Sequence, residues 1–192
     1  MTKACSGHGR EEDMMRFDWD PTYTQGGLML LQPNACCCGV ATIHNVLRWC
    51  GIEITFDEVL DETEPYREDD GTMSMPDIWD FLEDYNFTLD GFVHTDILDA
   101  ELAAGNIALI YVDARVLWGE GETNAVHGNH VLLATGKTDG GYAVLDTGSG
   151  KVAYNEEEIR AAMMCGVSIR RGQDAETAQC QTDTAISEPE RT

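Results

Sequence analysis

Residues 129–150, NHVLLATGKTDGGYAVLDTGSG, hold two apolar runs separated by Asp-Gly-Gly. Those turn residues supply the positive φ angles that a tight hairpin needs, and the flanking runs are rich in Val, Leu and Tyr. The stretch predicts two adjacent antiparallel strands, HVLLATGKT and GYAVLDTG. A hairpin also brings its two open ends together, so His130, entering the first strand, is expected beside Asp146, leaving the second. Few other features of the chain commit so much of its fold at once.

The segments around this hairpin set the class. Upstream, Val40, Ile43, Val46, Leu47 and Cys50 recur at helical spacing and Gly51 ends the run. TFDEVL opens on Thr55 with Glu58 three residues on, a capping box. SMPDIWDFLEDYNF has Ser74 as N-cap and Asp77 three on, with Ile78, Trp79, Leu82 and Tyr85 along one face. DILDAELAAG predicts a short helix closed by Gly105. The apolar runs NIALIYVDARVL, HVLLATGKT, GYAVLDTG and GVSIRR predict strands, and NEEEIRAAMM a last helix with acidic residues at its positive end. Helices first and an antiparallel sheet after them make an α+β domain. Residues 1–20 are expected to be a flexible arm, 21–171 the folded body and 172–192 a disordered acidic tail. At 192 residues the chain has room for one ordinary domain with a sizeable core.

Charge narrows the partners. Thirty-five acidic residues against twelve basic ones give a net charge of -23. Phosphate binding needs a basic footprint that this chain lacks, so nucleic acid is not an expected partner. No stretch approaches the apolar length of a membrane span, and the N-terminus has no apolar signal region, so no membrane insertion and a cytoplasmic location are expected. The basic residues are nine Arg and three Lys. A lysine-poor acidic surface suits concentrated salt, where self-repulsion is screened, and it equally suits an ordinary acidic protein; both readings stand.

Seven cysteines without an export signal read as reduced thiols. Three are adjacent, Cys36-Cys37-Cys38, directly before the first helix. Adjacent cysteines converge poorly on one metal ion and bridge one another poorly, so neither a metal, a cofactor nor a disulfide is expected. Cys38 falls on the first turn of the helix, where the macrodipole favours thiolate, with Gly39 behind it leaving room for a substrate backbone. A thiolate nucleophile needs a histidine to take and return a proton and a third group to orient that ring. His130 and Asp146 fit those roles; His127 is a surface candidate only, and His44 on the helix is expected to pack or cap.

The order Gln32, a CG pair six residues on, a helix ending in RWCG, then NHVLLATGKTDGGYAVLDTGSG resembles the papain-like peptidases that process bacteriocin precursors. The resemblance covers about residues 28–160. It implies a papain-like fold and a peptide or protein substrate. Residue by residue it implies Cys38 as nucleophile, His130 as general base and acid, Asp146 as its orienting partner and Gln32 as an oxyanion donor beside the Cys38 N–H. Each such donor is worth roughly 2.7–4 kcal/mol of barrier. Cys36 and Cys37 are then passengers, Cys37 standing where the family more often has an acidic or polar residue. The family domain is often fused to a membrane exporter and cuts after a double glycine, whereas this sequence has no phosphate loop of the full Gly-x-x-x-x-Gly-Lys-Ser/Thr type.

The expected function is hydrolysis of a peptide bond. Two other readings use the same frame: acyl or amide transfer by the same triad, and an idle domain serving as a peptide-binding or structural module. A redox or metal-sensing role for the cysteine run is a further alternative. The loop from Trp118 to Gly128 has two readings, a lid or substrate rim whose Glu120 and Glu122 favour basic peptides, and a solvated acidic loop; both stand. The oligomeric state is left open.

Overall fold

The computed structural model describes residues 22–24, 27, 29–119 and 128–171. The expected arm, the expected tail, and Glu120, Glu122 and His127 lie outside the described residues. The elements run β1 (Thr22–Tyr23), β2 (Leu30–Leu31), α1 (Cys38–Trp49), α2 (Phe56–Glu62), a single 3-10 turn (Glu64–Tyr66), α3 (Met75–Asp84), β3 (Phe87–Phe92), α4 (Thr95–Ala103), β4 (Ile107–Asp113), α5 (Ala114–Trp118), β5 (Asn129–Thr138), β6 (Gly141–Leu145), β7 (Ala153–Asn155), α6 (Glu156–Ala162) and β8 (Met163–Arg171). β3 to β8 form one sheet in the order β3-β8-β4-β5-β6-β7, each neighbour antiparallel. β1 and β2 pair separately.

Local chemistry starts the helices where the sequence says. Thr55 with Glu58, Ser74 with Asp77 and Asn155 with Glu158 each form a complete capping box, satisfying backbone N–H groups that the first turn leaves open. The hairpin forms as read, with Thr138 opposite Gly141 and Leu133 opposite Leu145. Gly141 also has a packing reason to be glycine, since a Cβ there would stand 2.1 Å from the Tyr154 carbonyl oxygen.

Two expectations need correction. NIALIYVDARVL is not one strand: β4 stops at Asp113, whose carboxylate accepts from the Arg115 N–H at 2.9 Å and starts α5. An aspartate offering its own backbone bond diverts the chain from the sheet ladder. The helix read through Phe87 ends at Asp84, because Asn86 takes a left-handed φ of 59° and releases the chain into β3, a strand the first half was not expected to contain.

The sheet carries helices on both faces, because alternate residues point opposite ways. Leu109, Val131 and Leu133 pack with Ile43, Val46 and Leu47 of α1 and with α2 and α3. Ile110, Val112 and Leu132 pack with Leu98 and Leu102 of α4, Leu117 of α5 and Ile159 of α6. Buried Asn45 on α1 grips both backbone groups of Leu30, accepting from its N–H at 2.9 Å and donating to its carbonyl at 3.1 Å. That clasp ties β2, and the loop that follows it, to α1. No described helix is long and apolar enough to cross a membrane.

Candidate active site

The three cysteines divide by environment. Cys36 and Cys37 are buried, and Cys38, the first residue of α1, is partly exposed. Asn34 organises the approach: its Oδ1 accepts from the Cys36 N–H at 2.9 Å and from the Cys37 thiol at 2.7 Å. Burial pushes the Cys37 thiol far above its ordinary range, the neighbouring sulfurs of Cys36 and Cys38 add to this, and the Asn34 bonds oppose it only in part. Cys37 is therefore a thiol and a hydrogen-bond donor. Cys38 has open space and a helix N-terminus, with no acidic residue in the first turn of α1 to offset the positive end.

Gly39 does not make room for a substrate. It is buried, and a Cβ there would meet the Met73 Cβ at 2.9 Å. Its bareness lets the segment before α3 close against the start of α1, which corrects the sequence reading.

His130 lies at the start of β5, opposite Val112, with no exposed surface. Its Nε2 is 2.8 Å from Asp146 Oδ1. The other ring nitrogen, Nδ1, has no nitrogen or oxygen partner. Burial pulls this imidazole down, but the hydrogen bond and charge of Asp146, with the neighbouring Cys38 sulfur, outweigh it and raise the pKa to about 9. With Nε2 committed to Asp146, Nδ1 is the nitrogen left for sulfur.

Asp146 is equally buried and carries the most heavily satisfied side chain of the site. Oδ1 accepts from His130 and from the N–H groups of Gly148 and Ser149 at 2.9 and 3.1 Å. Oδ2 accepts from the Ser149 hydroxyl at 2.5 Å, the Tyr154 hydroxyl at 2.6 Å and Trp118 Nε1 at 3.2 Å. Burial alone would raise this carboxyl; the His130 bond and charge, with Ser149 and Tyr154, hold it well below the usual carboxylate range. The turn that supplies these donors is closed by the Gly150 N–H on the Asp146 carbonyl at 2.8 Å.

Trp118, the last residue of α5, covers the pair. Its ring lies 4.8 Å from the His130 ring, and its Nε1 also donates to the Tyr154 hydroxyl at 2.9 Å. Gly148 admits it: a Cβ there would come within 2.7 Å of the indole and 3.2 Å of the His130 ring. Gln32 is reached from the same turn. Its backbone N–H donates to the Thr147 carbonyl at 2.9 Å, its Oε1 accepts from the Thr147 hydroxyl at 3.1 Å, and its Nε2 donates to the Asn34 carbonyl at 3.1 Å. His44, by contrast, is buried away from this cluster between the rings of Tyr23 and Phe56, each 6.0 Å away.

The structure joins His130 to Asp146, sets Cys38 near enough to influence the His130 proton, and ties Gln32 to the turn beyond Asp146. The sequence reading did not pick out Trp118, Tyr154, Ser149, Thr147 or Asn34. Ser149 carried a signal, since a buried Asp followed by Thr-Gly-Ser offers local donors. Trp118 and Tyr154 are distant in sequence and carried none. Chemically the group joins a partly exposed thiol at a helix N-terminus to a buried imidazole of raised basicity and a carboxylate that stays charged.

No family model matches the sequence, and no curated protein is detectably similar to it in sequence. Solved structures are similar in fold. The double-glycine-motif protease of an AMS/PCAT transporter, determined with its leader peptide, superposes with a TM-score of 0.54 at 15% identity, over 74% of this chain and 90% of that one. The peptidase domain of Streptococcus ComA, a bi-functional ABC transporter of a quorum-sensing pathway, gives 0.57 at 12% identity, over 73% and 96%. The fold is that of a papain-like peptidase domain. Within that class it is similar to the double-glycine peptidase domains.

Proposed function

We propose that the body over residues 21–171 is a cysteine peptidase in which Cys38 attacks the carbonyl of a peptide bond. The observation that supports this most directly is the buried His130–Asp146 pair, whose basicity is raised by Asp146 and by Cys38, the one partly exposed cysteine of the run. An imidazole held to a pKa of about 9 keeps its proton at neutral pH beside sulfur, the form in which a cysteine is nucleophilic. Nδ1–H then delivers that proton to the leaving amine, and the neutral ring activates the water that releases the acyl group. Asp146 stays charged throughout and orients the ring. Gln32 gives one amide N–H to Asn34 and has a second with no acceptor among the described residues; in this reading it meets the oxyanion with the Cys38 N–H. The leader peptide of the fold relative supports a peptide segment as the substrate class, and a double-glycine leader is the first sequence to try.

The test is iodoacetamide labelling of freshly reduced protein near pH 6, mapped by peptide mass spectrometry, with His130→Ala alongside, followed by cleavage of a double-glycine peptide library. Fast labelling confined to Cys38, slowed without His130, and cleavage abolished by Cys38→Ala are expected. Even labelling of Cys36, Cys37 and Cys38 would overturn the nucleophile assignment. A reactive Cys38 that transfers acyl groups to added amines rather than to water would move the function to the transferase reading.

A further inference from the structure

We infer that Thr147 is a positioning residue for the Gln32 carboxamide, an inference that rests on the proposed role of Gln32 as oxyanion donor. Thr147 follows Asp146 directly and is 1% exposed, a burial that a hydroxyl tolerates only with a partner. That partner is Gln32 Oε1 at 3.1 Å, and the same two residues are joined through their backbones, Gln32 N–H to Thr147 carbonyl at 2.9 Å. The far end of the amide is fixed as well. The Asn34 carbonyl can only accept, so the group it faces at 3.1 Å must be the NH2. With the carbonyl end held by Thr147 and one N–H held by Asn34, the carboxamide has a single orientation, and its second N–H has one direction.

The consequence is a direct link between the two halves of the chemistry. The turn that carries Asp146, and through it His130, also sets the amide that would receive negative charge on the substrate oxygen. Asn34 is held in its own turn by the Cys37 thiol at 2.7 Å and the Cys36 N–H at 2.9 Å. A donor held this way needs no reorganisation when charge develops, which is where such groups gain their effect.

The test compares two reagents that both consume Cys38. p-Nitrophenyl acetate is attacked at its carbonyl: sulfur bonds to carbon, an oxyanion forms, and p-nitrophenolate leaves as the carbonyl reforms. Iodoacetamide is attacked at carbon with loss of iodide and forms no oxyanion. Rates of p-nitrophenolate release and of alkylation are measured for the wild type, Gln32→Ala, Thr147→Val and Thr147→Ser. Thr147→Val, which keeps the shape and removes the hydroxyl, is expected to slow acylation about tenfold with alkylation unchanged, Gln32→Ala to do at least as much, and Thr147→Ser to restore most of the rate. Slower acylation in Gln32→Ala but not in Thr147→Val would overturn the positioning role and leave Gln32 in place. An unchanged ratio of the two rates in Gln32→Ala would overturn the oxyanion assignment itself. Equal slowing of both reagents by Thr147→Val would make Thr147 structural only.

Discussion

Replacing Asp146 by Asn should change how stability depends on pH as well as activity. In the folded protein His130 holds its proton to a pKa of about 9, against an ordinary value of 6.5. A pKa raised by folding contributes stability that is fully present below 6.5 and is lost as pH rises through 9. Between those values the native state carries one proton more than the unfolded chain, so the unfolding free energy falls by about 1.4 kcal/mol per pH unit, about 3 kcal/mol over the window. Asn removes the charge that outweighs the burial of the imidazole, so the variant should lose most of this slope. A second cost is independent of pH. The amide nitrogen would face the Ser149 and Tyr154 hydroxyls, which can turn to accept, and Trp118 Nε1, which cannot. Leaving such a donor poorly paired costs about 1–3 kcal/mol. The assay is urea unfolding, under reducing conditions and fixed salt, at pH 6, 7, 8 and 9. The wild type minus Asp146→Asn difference should be largest at pH 6 and shrink by about 3 kcal/mol toward pH 9. A difference that stays flat across the series would refute the ion pair as the source of the raised basicity.

Three further outcomes follow from the same contacts. Gly148→Ala should displace Trp118 or His130, since its Cβ would sit 2.7 Å from the indole, and lower Cys38 alkylation at pH 6 at least severalfold; an unchanged rate would mean that the turn yields freely. Trp118→Phe keeps a ring on His130 and removes the Nε1–H shared by Asp146 and Tyr154, so urea unfolding should show a loss of about 1–2 kcal/mol. Cys37→Ser should retain the bond to Asn34 and near wild-type Cys38 reactivity, whereas Cys37→Ala should loosen the loop and cost about 1 kcal/mol, read by the same unfolding assay. Faster alkylation of Cys37 than of Cys38 in the wild type would contradict the burial that keeps Cys37 protonated.

Where local rules decide conformation, the sequence was readable. The capping boxes at Thr55, Ser74 and Asn155 and the Asp-Gly-Gly turn are satisfied within four or five residues, so their geometry is written in adjacent letters. The closeness of His130 and Asp146 was legible for the same reason, because one hairpin joins them. What escaped was set by competition or by distance. Asp113 caps a helix against the strand-forming run around it, and Asn86 ends a helix whose apolar face continues beyond it. The donors to Asp146 that escaped, Trp118 and Tyr154, come from α5 and β7, 28 residues before it and 8 after. No periodicity announces such partners; only the need to satisfy a buried carboxylate does. Gly39 was misread because free space was inferred from a missing side chain, when that space is filled by Met73.

The strand order has a consequence for which half of the site gives way first. β5, with His130, has strands on both sides and helices on both faces, so exposing its backbone requires breaking the sheet itself. The loop from Gln32 to Cys37 lies outside the sheet and is held by two small buried side chains, Cys36 and Cys37, and by hydrogen bonds centred on Asn34 and Thr147. Local opening of that loop is the cheaper event. Warming should therefore silence the thiol side while the histidine side stays folded, and cooling should restore it. Loss of Cys38 alkylation and unfolding, followed together on warming, should be separate transitions, the first reversible and confined to six residues of chain ahead of α1.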